Sequence, residues 1–452
     1  MVRFSGFSIG YFIFILGFLN PWAQAQISSS LLLQNDSFIS PDFQATDQTQ
    51  YQYFGWRAQN VDDRDPLGVE AEAVIAMGAP ILNYIKVKEF SYKFQTSEKE
   101  FFTLGRHHHP WSELDSRWAF GVVEPTFEWN PLNRESLSLT GISWLRAESD
   151  YTLAAFWSPL FIPDQGPSFE ITNEGRFSRK NPWFQTPPET FRPFPNATSD
   201  SKIQYRLERP PDSEIVSQNT LGASIEKNWS SQVLTRLTYF YKPMNQLSLS
   251  YKGYYVLSTD EGLVDILPQV TLHRIISGDL IWKSGLLELG FSYISDQPTN
   301  NPESDPEWTN PNFAEAQILA VYAQLNLSQQ KLSLESLNVE GGEVTEVGDL
   351  ASPDRAAISS RYPMTQAIKL RHQLNFPLKK MQKITWDTSW TSSQKNEFEL
   401  IQFRGTFHMN RRWQVYADMQ FVKAEPLSAE NVNDVASFAD NDRLLVGIAH
   451  AL

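Results

Sequence analysis

The sequence predicts an all-β chain, a transmembrane antiparallel β-barrel of about 16 strands with long extracellular loops. Two observations carry that prediction: apolar and polar residues alternate with a period of two, and long and short connections alternate along the chain. The clearest alternation lies in 383–423. There Ile384, Trp386, Thr388 and Trp390 share one face, as do Ile401, Phe403, Gly405, Phe407 and Met409, and then Trp413, Val415, Ala417, Met419 and Phe421. The opposite faces carry Thr385, Asp387 and Ser389, then Gln402, Arg404, Thr406 and His408, then Gln414, Tyr416, Asp418 and Gln420. A period of two puts each set on one side of a strand. A soluble sheet with one wet face reads the same way. The connections separate the two readings.

Taken in order, alternation and breaks at Pro, Gly, Asn, Asp and Ser mark strands at 50–58, 86–95, 100–106, 136–146 and 150–158. The middle of the chain gives 216–227, 232–241, 268–282, 286–295 and 316–327. The remainder gives 331–338, 366–376, 382–390, 398–409, 412–422 and 443–452. Links after the even-numbered strands are short (96–99, 147–149, 228–231, 283–285, 328–330, 377–381, 410–411). Links after the odd-numbered strands are long (59–85, 107–135, 159–215, 242–267, 296–315, 339–365, 423–442), except 391–397. Tight turns at one end and long loops at the other are the habit of a membrane barrel, and a soluble sandwich has no physical reason to sort its loops this way. Residues 247–257 also alternate, as a strand or as a hairpin projecting from a loop, whereas 68–82 is Ala-rich and apolar without clear alternation. These two stretches widen the expected count to fourteen to eighteen strands, even numbers being the rule.

Other strands repeat the two-faced pattern. Leu287, Leu289, Phe291 and Tyr293 oppose Glu288, Gly290 and Ser292, and Ile368, Leu370, Leu374 and Phe376 oppose Lys369, Arg371, Gln373 and Asn375. Trp or Tyr near strand ends (Trp157, Tyr241, Trp282, Tyr293, Trp390, Trp413) suits aromatic girdles at two membrane interfaces. At the N-terminus, Arg3, the apolar run 11–18 and Ala23-Gln24-Ala25 read as a secretory signal, giving a signal peptide at 1–25 and one barrel domain at 26–452. The chain contains no cysteine, which excludes a lipoprotein anchor, disulfides and thiolate metal sites. A formal net charge of −14 argues against nucleic acid as a partner.

The last strand places Leu444, Val446, Ile448, His450 and Leu452 on one face. Here the chain resembles bacterial outer-membrane proteins, whose final strand carries alternating apolar residues to a terminal aromatic read by the insertion machinery. Leu452 stands where that pattern has Phe, and His450 where an aromatic is common. The resemblance implies the bacterial outer membrane as location, with outer-membrane lipid and the barrel-insertion machinery as partners. Two stretches are similar to porins of the alginate-export type: Leu104-Gly105-Arg106 leading into Trp111, Asp115 and Trp118, and Phe161-Ile162-Pro163-Asp164-Gln165-Gly166-Pro167.

A barrel of about sixteen strands leaves an aqueous channel, so small hydrophilic solutes are the expected cargo. Lumen charges then set ion selectivity. The inward-facing candidates are Arg236, Lys369, Arg371 and Arg404 against Glu288, Asp387 and Asp418. Arg371 and Arg404 form a basic wall on one reading; on the other they pair with Asp387 and Asp418 on neighbouring strands. The longest loop, 159–215, is rich in Pro and aromatics. Prolines lower the entropy lost on ordering it, which suits a constriction bearing Arg176, Arg179 and Lys180, or else an outer cap or a surface for a partner. His107-His108-His109 suggests a metal, yet adjacent side chains of an extended chain point opposite ways, so no metal site is expected. Hydrolase and phosphate-loop motifs are absent, and no enzyme activity or cofactor is expected. The reading is thus a porin-like passive channel, and homo-oligomers are compatible with it. The alternatives are a non-conducting barrel whose loops bind a partner or surface, an outer-membrane hydrolase, and a secreted soluble β-protein.

Overall fold

Alternation along most strands generates one large sheet that closes on itself. A computed structural model describes residues 27–41, 43, 45–60, 65–193, 199–299, 307–347, 359–379, 381–393, 395, 397–424 and 435–452. The signal-peptide expectation for 1–25 lies outside the described residues. Eighteen barrel strands follow in chain order: β1 (Ile27–Phe38), β2 (Gln50–Asn60), β3 (Leu67–Met77), β4 (Tyr84–Ser97), β5 (Glu100–His107) and β6 (Leu139–Ala147). Next come β7 (Tyr151–Ser158), β8 (Thr220–Asn228), β9 (Val233–Pro243), β10 (Leu272–Ser284), β11 (Leu287–Thr299) and β12 (Ala316–Asn326). The last six are β13 (Gln330–Gly341), β14 (Gln366–Lys379), β15 (Gln382–Ser393), β16 (Phe398–His408), β17 (Trp413–Ala424) and β18 (Arg443–Ala451). Each pairs antiparallel with the next, and β18 returns to β1 in a register from Ser30↔Ala451 to Phe38↔Arg443. No unpaired edge remains on the barrel, as a membrane demands.

The expected sixteen strands all lie within this set, and β1 and β3 complete it. Strand β3 falls in the Ala-rich stretch and interrupts the expected long link 59–85, leaving a loop at 78–83 before β4. Its outward residues include Ala71 and Ala73, too small to mark a face by hydrophobicity. Three expected starts move inward. Residues 135–136 pair with 126–127, 216 ends a helix (Asp212–Val216), and 268–269 belong to a loop strand (Glu261–Gln269). In each case the period-two pattern runs on into a loop with partners of its own. The stretch 247–257 is one arm of a hairpin, Ser248–Val256 against Glu261–Gln269, which a parallel strand, Ser201–Leu207, extends into a sheet outside the barrel.

Leu33, Ile75, Ile85, Leu104, Leu237, Ile276, Leu334 and Val446 are exposed on the outer face. Trp157 and Trp390 stand outward near the long-loop end, and Trp282 and Trp413 near the short-turn end. Among the described residues no helix is long and apolar enough to cross a membrane; the strands do the crossing. An apolar exterior, with exposed tryptophans toward both ends, around a closed sheet defines a transmembrane β-barrel.

Candidate channel lumen

The loop 108–138 between β5 and β6 fills much of the interior. It opens with a short helix, α1 (Glu113–Trp118), whose N-cap Ser112 accepts a hydrogen bond from the Asp115 amide at 3.5 Å. Ala119 stops the helix in the left-handed region (φ 46°). Asp115 then holds the returning chain: its buried carboxylate accepts from the amides of Val122 (3.1 Å), Val123 (2.8 Å) and Glu124 (3.0 Å). Burial raises its pKa, and these three donors lower it in part. Trp111, Leu114, Trp118, Phe120, Val122 and Val123 pack against inward Phe240, Ile275, Ile294 and Ile318.

Polar contacts fix this apolar plug to the wall. The Trp111 carbonyl accepts from the Thr238 hydroxyl (2.8 Å), and the amides of Glu113 and Leu114 donate to Asp279 (3.2 Å) and Ser292 (3.3 Å). On the opposite flank Arg117 stacks 3.4 Å from the centre of the Tyr322 ring and donates to Glu113 (2.7 Å), Glu288 (3.2 Å) and Glu335 (3.5 Å). Lys369 caps the helix by donating to the Arg117 carbonyl at 2.7 Å, while its ammonium lies 4.1 Å from the Trp118 ring centre. A cation at a helix C-terminus is favourable, since the last carbonyls there lack partners.

The loop continues as a finger, with Thr126–Phe127 paired to Glu135–Ser136. Its tip reaches β16 and β17. Asn130 donates to Gln420 (2.7 Å), and Gln402 donates to the Leu132 carbonyl (2.8 Å). Lys86 of β4 holds the side of the finger through Glu135 (3.2 Å). At the finger's root the Thr126 amide donates to Asp164 (2.6 Å), and the Asp164 amide donates to the Asn245 carbonyl (2.9 Å), so three loops meet there. Burial, with the charge of Glu128 adding to it, pushes the Asp164 carboxyl up to about 7.

Two water-accessible voids flank the finger. The first is lined by Arg117, Arg134, Lys369, Arg371, Asp387 and Gln402; the second by Gln34, Arg57, Glu72, Lys86, Tyr416 and Arg443. Asn133, Arg404 and Asp418 line both.

The residues singled out in the sequence divide into groups. Arg371 donates to Asp387 (2.9 Å) and Arg404 to Asp418 (2.9 Å); both pairs border the voids, and the arginine side chains keep 38% and 51% of their surface exposed. Lys369 pairs with Glu335 (3.0 Å), and Glu288 is engaged by Arg117. Arg236 is buried between Glu226 (2.7 Å) and Asp279 (3.2 Å), behind α1 and away from both voids. The expected constriction cations are placed otherwise. Arg176 is half-buried and Arg179 and Lys180 are exposed, and the three pair with Glu174 (3.8 Å), Glu189 (2.9 Å) and Glu170 (3.5 Å) of their own loop. The interior is taken instead by 108–138, which brings a compact apolar face and buried hydrogen bonds, whereas these three cations of the longer loop keep much of their side-chain surface in water. The three histidines have different partners: His107 meets Glu89 (3.1 Å), His108 meets Glu124 (3.3 Å), and His109 lies on Trp111 (4.3 Å between ring centres). Burial lowers the His109 pKa to about 3. Among the described residues no three His, Cys, Asp or Glu side chains gather as a metal site.

Arg117, Asn130, Lys86, Arg57, Glu72 and Arg443 were not singled out by the sequence. Gln402 and Gln420 could have been, since both lie on the polar faces of clearly alternating strands. Glu72 was hidden with β3, and the loop residues have no periodicity to betray them.

No protein-family model and no curated protein matches this chain. Solved structures similar to it include OpdQ of Pseudomonas aeruginosa, at 10% identity over 95% of this chain and 96% of that one, with a TM-score of 0.42. A BenF-like porin from Pseudomonas fluorescens is similar at 10% identity over 95% and 98%, TM-score 0.44. So is OccK2 of P. aeruginosa, solved in complex with glucuronate, at 11% identity over 94% and 98%, TM-score 0.43.

Proposed function

We propose that this chain is a porin-like passive channel for small hydrophilic solutes in a bacterial outer membrane. The observation that carries this is the coexistence of an apolar outer wall with water-accessible, charged voids beside a finger fixed inside the barrel. Charges inside a hydrocarbon-facing wall are tolerated where they line water. The finger narrows the lumen without a covalent step, so size and charge sort solutes. Pairing of Arg371 with Asp387 and Arg404 with Asp418 mutes the charge preference while leaving polar surface for solutes to exchange hydration. No cofactor enters this mechanism.

Swelling of liposomes that hold the refolded protein tests the proposal. Isosmotic small sugars or amino acids should enter at rates that fall with solute size. Liposomes that hold folded barrel and do not swell with any of them would overturn it. A second reading, a barrel whose loops bind a partner, draws on the apolar packing of Phe38, Tyr51, Phe398 and Val422 against the loop residues Leu132, Trp183, Val435 and Phe438 at the long-loop end. That reading predicts no swelling.

A further inference from the structure

We propose that the barrel carries two side-by-side permeation branches, separated by the finger and joined beneath its tip at Arg404 and Asp418. This rests on the channel reading and adds a path to it.

The finger begins between β5 and β6 and ends on β16 and β17. In the closed sheet nine strands, β7–β15, lie between these anchors on one side and five, β18 and β1–β4, on the other. The finger is therefore a chord near the barrel's diameter, held at both ends, and it presents different residues to each side. Pro131, Leu132 and Arg134 face the void against β14–β16; Phe127, Trp129 and Glu135 face the void against β1–β4. On the nine-strand side α1 packs against Phe240, Ile275, Ile294 and Ile318 of β9–β12.

The junction follows from register. Gln402 and Gln420, which hold the tip, are paired across β16 and β17, and the next inward pair toward the short turns is Arg404 and Asp418. Two residues of strand are roughly 7 Å. The ion pair thus sits just below the clamp, and with Asn133 it lines both voids. Both voids are wet: Arg371 keeps 38% of its side-chain surface accessible in one, and Arg57 keeps 41% in the other.

The chain has no cysteine, so single thiols can be placed without background. Ser389→Cys marks the first branch and Gln34→Cys the second, both small changes at lining positions. Each refolded variant is recorded as single channels in a planar bilayer before and after a trimethylammonium-bearing methanethiosulfonate. The expected result is a partial loss of conductance in either variant, leaving a steady residual step, and a larger loss when both thiols are modified. One path alone predicts otherwise. Complete block from either thiol, or loss from one with no change from the other, overturns the two branches while leaving the channel standing. A folded barrel that passes no current in any variant overturns both.

Discussion

Arg117 does more to place the interior loop than any charge read from the sequence. Its guanidinium meets three carboxylates and a tyrosine ring, and its carbonyl takes the Lys369 ammonium. Removing one partner of a largely buried ionic cluster leaves the others uncompensated, at a cost of about 3 kcal/mol. Arg117→Ala should therefore lower thermal stability in detergent and add flicker to the open-channel current. Stability loss with a current as quiet as the parent's would show that the loop is held elsewhere. Asp164 gives a pH dependence of known sign. Its carboxyl is raised in the folded state, from an ordinary 3.8 to about 7, so the neutral form is the one the fold prefers. The stability it lends to the three-loop junction is complete below about pH 4, declines as pH rises, and is gone above about 7. The protection factor of the Thr126 amide should fall across that window and level off above it. Asp164→Asn should flatten the curve; a parent whose protection does not change with pH contradicts the assignment.

At the scale of elements, aromatic rings laid over glycines on neighbouring strands help shape the interior. Gly222 lies opposite Phe240, Gly290 opposite Tyr322 and Gly447 opposite Tyr416. A Cβ at Gly290 would come within 2.0 Å of the Tyr322 ring, the same ring on which Arg117 stacks. Overpacking of this kind costs about 1–3 kcal/mol. Gly290→Val should thus lower the temperature at which the folded gel band converts to the unfolded one, and an unchanged conversion temperature would mean Tyr322 has room to move. Strands were the most legible part of the sequence because a barrel wall demands a strict period of two. Strand β1 escaped because Leu31, Leu32 and Leu33 run together after Ser28-Ser29-Ser30, which blurs its faces. Strand β3 escaped because its alternation is carried by alanines. The choice of interior loop was not legible at all. It depends on contacts such as Asn130 with Gln420, 290 residues apart, which no local pattern encodes. Proline content favoured the 159–215 loop on entropy, but burial of Trp111, Leu114 and Trp118 decides the matter for 108–138.

For the whole molecule, a closed wall faces lipid outside and water inside, narrowed by a fixed finger. Lumen arginines were legible as inward residues. Their engagement by Asp387 and Asp418 was one of two open readings, and the structure forms those pairs while leaving the arginines partly in water. Replacing Arg371 and Arg404 together by Glu puts like charges beside those aspartates. In a salt gradient the reversal potential should move toward cations, and an unmoved potential would assign the arginines to the wall's stability alone. The most direct measurement comes first: single-channel recording of the refolded, unmutated protein in a planar bilayer, with heat-modifiable gel migration confirming the fold. An open lumen should give steady, reproducible conductance steps. A correctly folded barrel that passes no current would contradict it.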